Sequence, residues 1–279
     1  MQEMLLKFKE YLKEEGLSKE SIRKAISHVG SLGMIRDSSA LSKGMIIELI
    51  NARKCSESTR NQIIWSVRNY LRFMCRTDIC LPKEKHVHNR KICLITKEDL
   101  REILDRLYSS YQRWEVNWKN KLRIKSILIF MYELGLTVKE FLELRHEDFQ
   151  MEHDQFSVVI STNGSRREFF LDKDTYAVWL DYYQFFGGHD NNAFDLNVRK
   201  FKRLFAKLRR LDALLGKEIS PRSLRHSFAY NCLQKGKSVE SISHLLGQNI
   251  KKTKRYLKAI SLTVSKAADE EKQPKDKQE

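Results

Sequence analysis

Two groups of residues in this chain have side chains able to do chemistry. Cys75, Cys80, His86, His88 and Cys93 lie close together and carry the donors that bind zinc. Zinc-site spacing usually includes a C-x-x-C pair, and none is present. With Cys55 and Cys232 the cysteines number five, and an odd count at irregular spacing gives no disulfide framework either. They read as ordinary reduced thiols, and no metal or cofactor is expected. The second group is cationic. The segment RKFKRLFAKLRRL carries seven basic residues, among them Arg199, Lys200, Lys202 and Arg203, interleaved with Phe201, Leu204, Phe205 and Leu208. The segment TRNQIIWSVRNYLRFMCR puts Arg60, Arg68 and Arg72 mostly on one side of a helix, and Lys91, Arg166, Lys251 and Lys252 add further charge. Such groups neutralise phosphates and release counterions. Any one of these helices reads equally as a solvated face. Two basic units joined by a basic linker favour DNA or RNA.

Composition points the same way. Lysine and arginine total 52 against 36 acidic residues, a formal net charge of +16 over 279 residues. That imbalance suits a polyanion, either nucleic acid or an anionic membrane surface. No run of about 18 apolar residues is present, so no transmembrane span is expected. The opening MQEMLLKFKEYLKEEG is amphipathic and carries acids, unlike a signal peptide. The chain reads as intracellular, cytoplasmic or with the DNA of a nucleoid or nucleus, and not secreted.

The elements that must position these residues are mostly helices. Proline (3) and glycine (11) are scarce. Leu5, Phe8 and Leu12 have helical spacing, ended by Gly16, and Ser18 opens a second helix. Met45, Ile46, Leu49 and Ile50 mark a third. Ile63, Ile64, Val67, Leu71 and Met74 share one face of a fourth. Together they predict a small bundle over residues 1–78. Residues 79–94, with Pro82, three lysines and two histidines, read as an exposed basic linker. Thr96, followed by Asp99, caps the first helix of a second unit over 95–262. Within it, QFSVVIST and REFFLD predict two strands joined at Asn163-Gly164, a strong hairpin turn. Helical patterns then return through KKTKRYLKAI. Residues 263–279 read as a disordered charged tail. The fold class is mainly α (α+β), with a small antiparallel hairpin sheet.

The C-terminal third carries the sharper pattern. SPRSLRHSFAYNCLQKG followed by ISHLLGQNIKKTKRYL resembles the last two boxes of the tyrosine recombinase (phage integrase) family: H-x-L-R-H-[ST]-F-A, then L-G-[HQ], then T-x-x-Y. Leu224, Arg225, His226, Ser227, Phe228, Ala229, Leu246, Gly247, Thr253 and Tyr256 match. Upstream, YELGLTVKEFLELRHEDF resembles the family's T-G-L-R-[IVL]-x-E-[LF] box. The N-terminal third is similar to the family's four-helix SAM-like core-binding domain.

The resemblance implies a clamp of two domains around double-stranded DNA, site-specific recombination, and self-association on DNA, as a tetramer when active. It implies that Tyr256 attacks a phosphodiester to form a 3′-phosphotyrosyl link, with Arg225 stabilising the added negative charge. Arg225 and Tyr256 should then converge over one phosphate. The chain also departs from the pattern. Thr137 stands where the first box has arginine, Thr162 falls at or beside the hairpin lysine that protonates the leaving oxygen, Arg222 replaces a histidine, and Gln248 replaces another. Arg222 lies three residues before Arg225 on one helical face and is a candidate second guanidinium. Arg166 or Arg167 can reach in from the hairpin, although arginine is a poor general acid. His244 is the candidate for the missing histidine, and His226 reads as a residue that packs and hydrogen-bonds inside the domain. Three functions follow: an active recombinase or integrase, a binding-only relative with an accessory, architectural or regulatory role, and an RNA-binding or protein-interaction module.

Overall fold

The structure, a computed structural model, describes residues 2–33, 41–82, 92–109, 118–162, 165–186, 192–215 and 217–272. Lys91, His86, His88 and the Asn163-Gly164 turn lie outside them. The chain divides into two compact units, residues 1–89 and 90–279. Among the described residues no helix is long and apolar enough to cross a membrane.

The first unit is built from α1 (Gln2–Glu14), α2 (Lys19–Ser31), α3 (Lys43–Asn51) and α4 (Glu57–Phe73). Serine opens three of them. The hydroxyls of Ser18, Ser42 and Ser56 accept the backbone N–H three residues on, satisfying a donor that the helix itself leaves free. Phe8, Leu12, Ile22, Val29, Ile46, Ile63, Val67 and Tyr70 form the core, with Phe8 edge-on to Tyr70 at 5.1 Å. Ile79 and Leu81 are buried in the same core, so the linker is shorter than 79–94. Their apolar side chains sit among polar neighbours, which masked them in the sequence.

The second unit surrounds α6 (Trp118–Leu134), which buries residues on almost every side and packs against α5 (Lys97–Ser109), α8 (Lys173–Phe186), α9 (Val198–Leu215) and α10 (Pro221–Gln234). Short α7 (Val138–Glu143) follows it. Between the two glycine is required at one position. Gly135 has φ +62°, and a Cβ there would come within 2.2 Å of the Phe228 ring. The sheet has order β1 (Phe149–Glu152), β2 (Gln155–Thr162), β3 (Ser165–Leu171), all antiparallel. β1 was not predicted, because its four residues, FQME, bury only Phe149 and show no alternation. Ile160 pairs with Arg167 and Val158 with Phe169, so Arg167 shares the inward face with Phe169 while Arg166 points out.

Two helices finish the unit, α11 (Val239–Leu246), ended by Gly247 in the left-handed conformation, and α12 (Ile250–Lys272). α12 corrects the tail: the helix continues ten residues past 262. The run SLTVSKAADEEK lacks an apolar stripe but is rich in residues with good helix propensity, so helix can persist without burial.

Candidate active site

α10 starts at Ser220, whose hydroxyl accepts the Ser223 N–H at 3.0 Å, with Pro221 in the first turn. From this helix Arg222 projects into solvent, and three residues on Arg225 is half-buried. Arg225 Nη1 donates to the Gly135 carbonyl at 2.9 Å, and Nη2 to the Leu246 carbonyl at 2.6 Å. Nη1 also faces the Glu140 carboxylate at 3.5 Å. Among the described residues its Nε–H takes no partner, which leaves a donor for an anion. Burial pulls the Arg225 pKa down and the Glu140 charge pushes it back, but a guanidinium stays charged throughout the working range.

Tyr256, in the second turn of α12, stacks on His226 with ring centroids 4.9 Å apart and 28° between the planes. Burial pushes the phenol up to about 12, while the charges of Arg225 and then Arg222 act to lower it. Arg225 and Tyr256 therefore sit within electrostatic reach of each other. Thr253, fully buried, fixes the turn before Tyr256 by donating to the Asn249 carbonyl at 3.2 Å.

His226 packs as expected but does not hydrogen-bond through Nδ1, which is buried without a partner among the described residues. Burial, then Arg222 and Arg225, lower its pKa to about 4. An unfolded chain takes up the proton near 6.5, whereas the folded protein resists until about 4. Its contribution to stability is complete above pH 6.5 and drains as the pH falls through 4, by roughly 3 kcal/mol in all. Urea unfolding at pH 7, 5 and 4 is expected to show this decline, and His226→Phe, which keeps the stack, to lose markedly less over the same interval.

One of the replaced positions has found other work. Thr137 caps α7: its hydroxyl accepts the Glu140 N–H at 3.2 Å, and its own N–H donates to the Glu140 carboxylate at 2.7 Å. Glu140 in turn pairs with Arg167. Burial raises the Glu140 pKa, but the Thr137 backbone N–H, then Arg167 and Arg225, outweigh it and hold the carboxyl below its usual range. Arg167 has 1% of its side chain exposed, and it donates to the Leu245 carbonyl at 2.7 Å. It cannot meet an incoming phosphate, which corrects its placement beside the reacting group; strand alternation turns it inward. Arg166 is exposed, and Thr162, at the end of β2, has a buried hydroxyl without a partner among the described residues. The Gln248 side-chain amide nitrogen is likewise buried and unpartnered there. His244 is exposed on α11, and no described side chain bonds it.

Sequence reading missed Glu140, which appeared only as one letter of the first box, and the carbonyls of Gly135, Leu245 and Leu246, which no side-chain pattern can reveal. A cleft of about 780 Å³ beside this site is lined by Glu140, Glu143, Glu147 and Asp148 against Arg145.

The nucleic-acid candidates divide by exposure. Arg72, Arg199, Lys202, Arg203, Lys251 and Lys252 are exposed. On α9 the cations lie opposite buried Phe201, Leu204, Phe205 and Leu208. Arg60 is half-buried 3.5 Å from Glu57, Arg68 donates to the Pro82 carbonyl at 2.6 Å, and Lys200 pairs with Asp195 at 3.3 Å. These three would have to exchange a local partner for a phosphate.

The phage integrase family model matches residues 94–261. A tyrosine recombinase XerA from Saccharolobus solfataricus is 30% identical over 164 residues, 54% of this chain and 55% of that protein, so that match spans about half of each. A tyrosine recombinase XerA from Pyrococcus horikoshii is 25% identical over 287 residues, 97% of this chain and 94% of the relative. Among solved structures, a lambda integrase dimer bound to a COC′ core site superposes with a TM-score of 0.66 at 12% identity, covering 92% of this chain and 76% of that one. At that identity the likeness is one of fold.

Proposed function

Because this chain belongs to the phage integrase family, we propose that it is a site-specific recombinase of double-stranded DNA with Tyr256 as its nucleophile. The Tyr256 oxygen bonds to phosphorus, and the bond from phosphorus to the 5′ oxygen breaks. The phenol gives up its proton and the departing oxygen gains one, leaving a 3′-phosphotyrosyl link and a free 5′-hydroxyl. One phosphoester is exchanged for another, so the bond energy is kept for rejoining. The observation that carries this reading is Arg225, half-buried and tied to two carbonyls, with Tyr256 within reach of its charge. Such preorganised donors stabilise the extra charge of the transition state. Arg222 adds a second cation, the Gln248 amide can bond a phosphate oxygen, and His244 is available for proton transfer. Exchange between two sites uses four nucleophiles, so we place four copies on DNA in the active assembly.

A nicked suicide duplex carrying the cognate site, found first by selection, tests this. Peptide mapping should recover a covalent nucleotide on Tyr256. No adduct on that duplex would overturn the reading.

A binding-only role is favoured by a different observation: Thr137 and Thr162 stand where the family pattern has two cations. In that case the protein binds duplex DNA in a salt-dependent manner and forms no adduct.

A further inference from the structure

We propose that Arg167 is a positioning residue for the reaction, holding Arg225 at the phosphate by clamping both of its anchors. The inference rests on the phosphotyrosyl reading above. Arg225 hangs from two places: the Glu140 carboxylate with the neighbouring Gly135 carbonyl, and the Leu246 carbonyl at the end of α11. Arg167 is bonded to both places at once. Its Nη2 pairs with Glu140 Oε1, the oxygen that Arg225 does not face, and its Nη1 donates to the Leu245 carbonyl, one residue before the Arg225 anchor.

Three further observations fit a clamp. First, Arg167 enters from β3, on the inward face opposite Ile160, and so links the sheet to α7 and α11. Second, the turn above it is shaped to its guanidinium: a Cβ on Gly247 would lie 2.9 Å from Arg167 Cζ and Nη1. Third, two guanidiniums share one carboxylate, so the cluster keeps an unbalanced positive charge. Arg167 is sealed in, with 1% of its side chain exposed, against 16% for Arg225. The charge open to an anion is therefore that of Arg225, and Arg167 acts only through it. Thr137, at the position where the family pattern has arginine, brings no cation to Glu140. The cation on its Oε1 comes from the strand instead.

The test uses the full chain with Arg167→Lys, and with Gly247→Ala as a second variant that pushes on the guanidinium without removing its charge. Single-turnover adduct formation is measured on the nicked duplex and on the same duplex with a methylphosphonate at the scissile position. The neutral phosphonate needs less charge stabilisation. Each variant is expected to lose roughly 10–100-fold on the phosphate, the size of effect a small misplacement produces, and much less on the phosphonate. Arg167→Lys combined with Arg225→Lys should be no slower than Arg225→Lys alone, because both changes act on one guanidinium. A wild-type rate on phosphate, equal losses on both substrates, or additive losses would overturn the proposal.

Nuclear magnetic resonance of the free protein separates this from failure of the nucleophile assignment. Bonds to Gly135 and Leu246 should slow rotation about the Arg225 Cζ–Nη bonds and give separate Nη resonances. Those resonances should merge in both variants, whether or not the wild type cleaves DNA. Separate resonances retained in both variants would also overturn it.

Discussion

Tyr256→Phe should remove the covalent adduct while leaving duplex affinity within about twofold of wild type, since phosphate contacts from other residues carry the affinity. The substitution deletes one oxygen. The ring keeps its stack on His226, and among the described residues the Tyr256 hydroxyl makes no hydrogen bond whose loss would disturb the fold. Thr253, which fixes the turn, is untouched. With no nucleophile, the rate should fall on the order of 10⁴–10⁶-fold, as when a nucleophile is deleted elsewhere. The measurements are adduct formation on the suicide duplex and a salt titration of binding. Adduct persisting in Tyr256→Phe would place the nucleophile elsewhere. A large loss of affinity would make Tyr256 an interfacial aromatic instead.

Much of the fold was legible in the sequence because periodicity and capping are local. Ile63, Ile64, Val67 and Leu71 were read as one face and are buried together. Ser18 and Thr96 were read as helix openings, and each accepts the expected backbone N–H. Where local signals are weak the reading stopped short. β1 has one inward residue, and the end of α12 has propensity without an apolar stripe.

The site was legible in a different way. Arg225 and Tyr256 stand in matched boxes, so pattern alone singled them out, yet pattern cannot say what a box holds together. The choice between Arg166 and Arg167 shows the limit. Both lie on the strand that follows the hairpin turn, and only the register, with Ile160 opposite Arg167, decides which one is buried. A slip of one residue would exchange them. Glu140 illustrates the converse. On α7 alone it is an ordinary capping-box acid. Its second role, between two guanidiniums, depends on residues 27 and 85 positions away in sequence. Long-range pairing of that kind leaves no trace in spacing.

A substrate with sulfur in place of the 5′ bridging oxygen is expected to be cleaved about 10²–10⁴-fold faster than its oxygen counterpart, the range of a general acid's contribution. An alkoxide leaves badly unless it is protonated, whereas a thiol, with a pKa near ~8.5, departs as the anion. The hairpin carries Thr162 where the family pattern has its proton-donating lysine. Thr162, at the end of β2, has a hydroxyl, which does not titrate in the useful range, and it lies buried without a partner among the described residues. Arginine is a poor general acid, which sets Arg166 and Arg167 aside, and Arg167 is sealed beneath the Gly247 turn. Oxygen departure should therefore limit the wild-type rate, and sulfur should relieve that limit. Thr162→Lys supplies the missing acid and is expected to raise the rate on the oxygen substrate by at least about tenfold, while shrinking the sulfur advantage. Equal rates on the two substrates would mean that a proton donor is already in place. His244→Gln would then be the variant to measure, because His244 is the exposed imidazole on α11, two residues before the Leu246 anchor of Arg225.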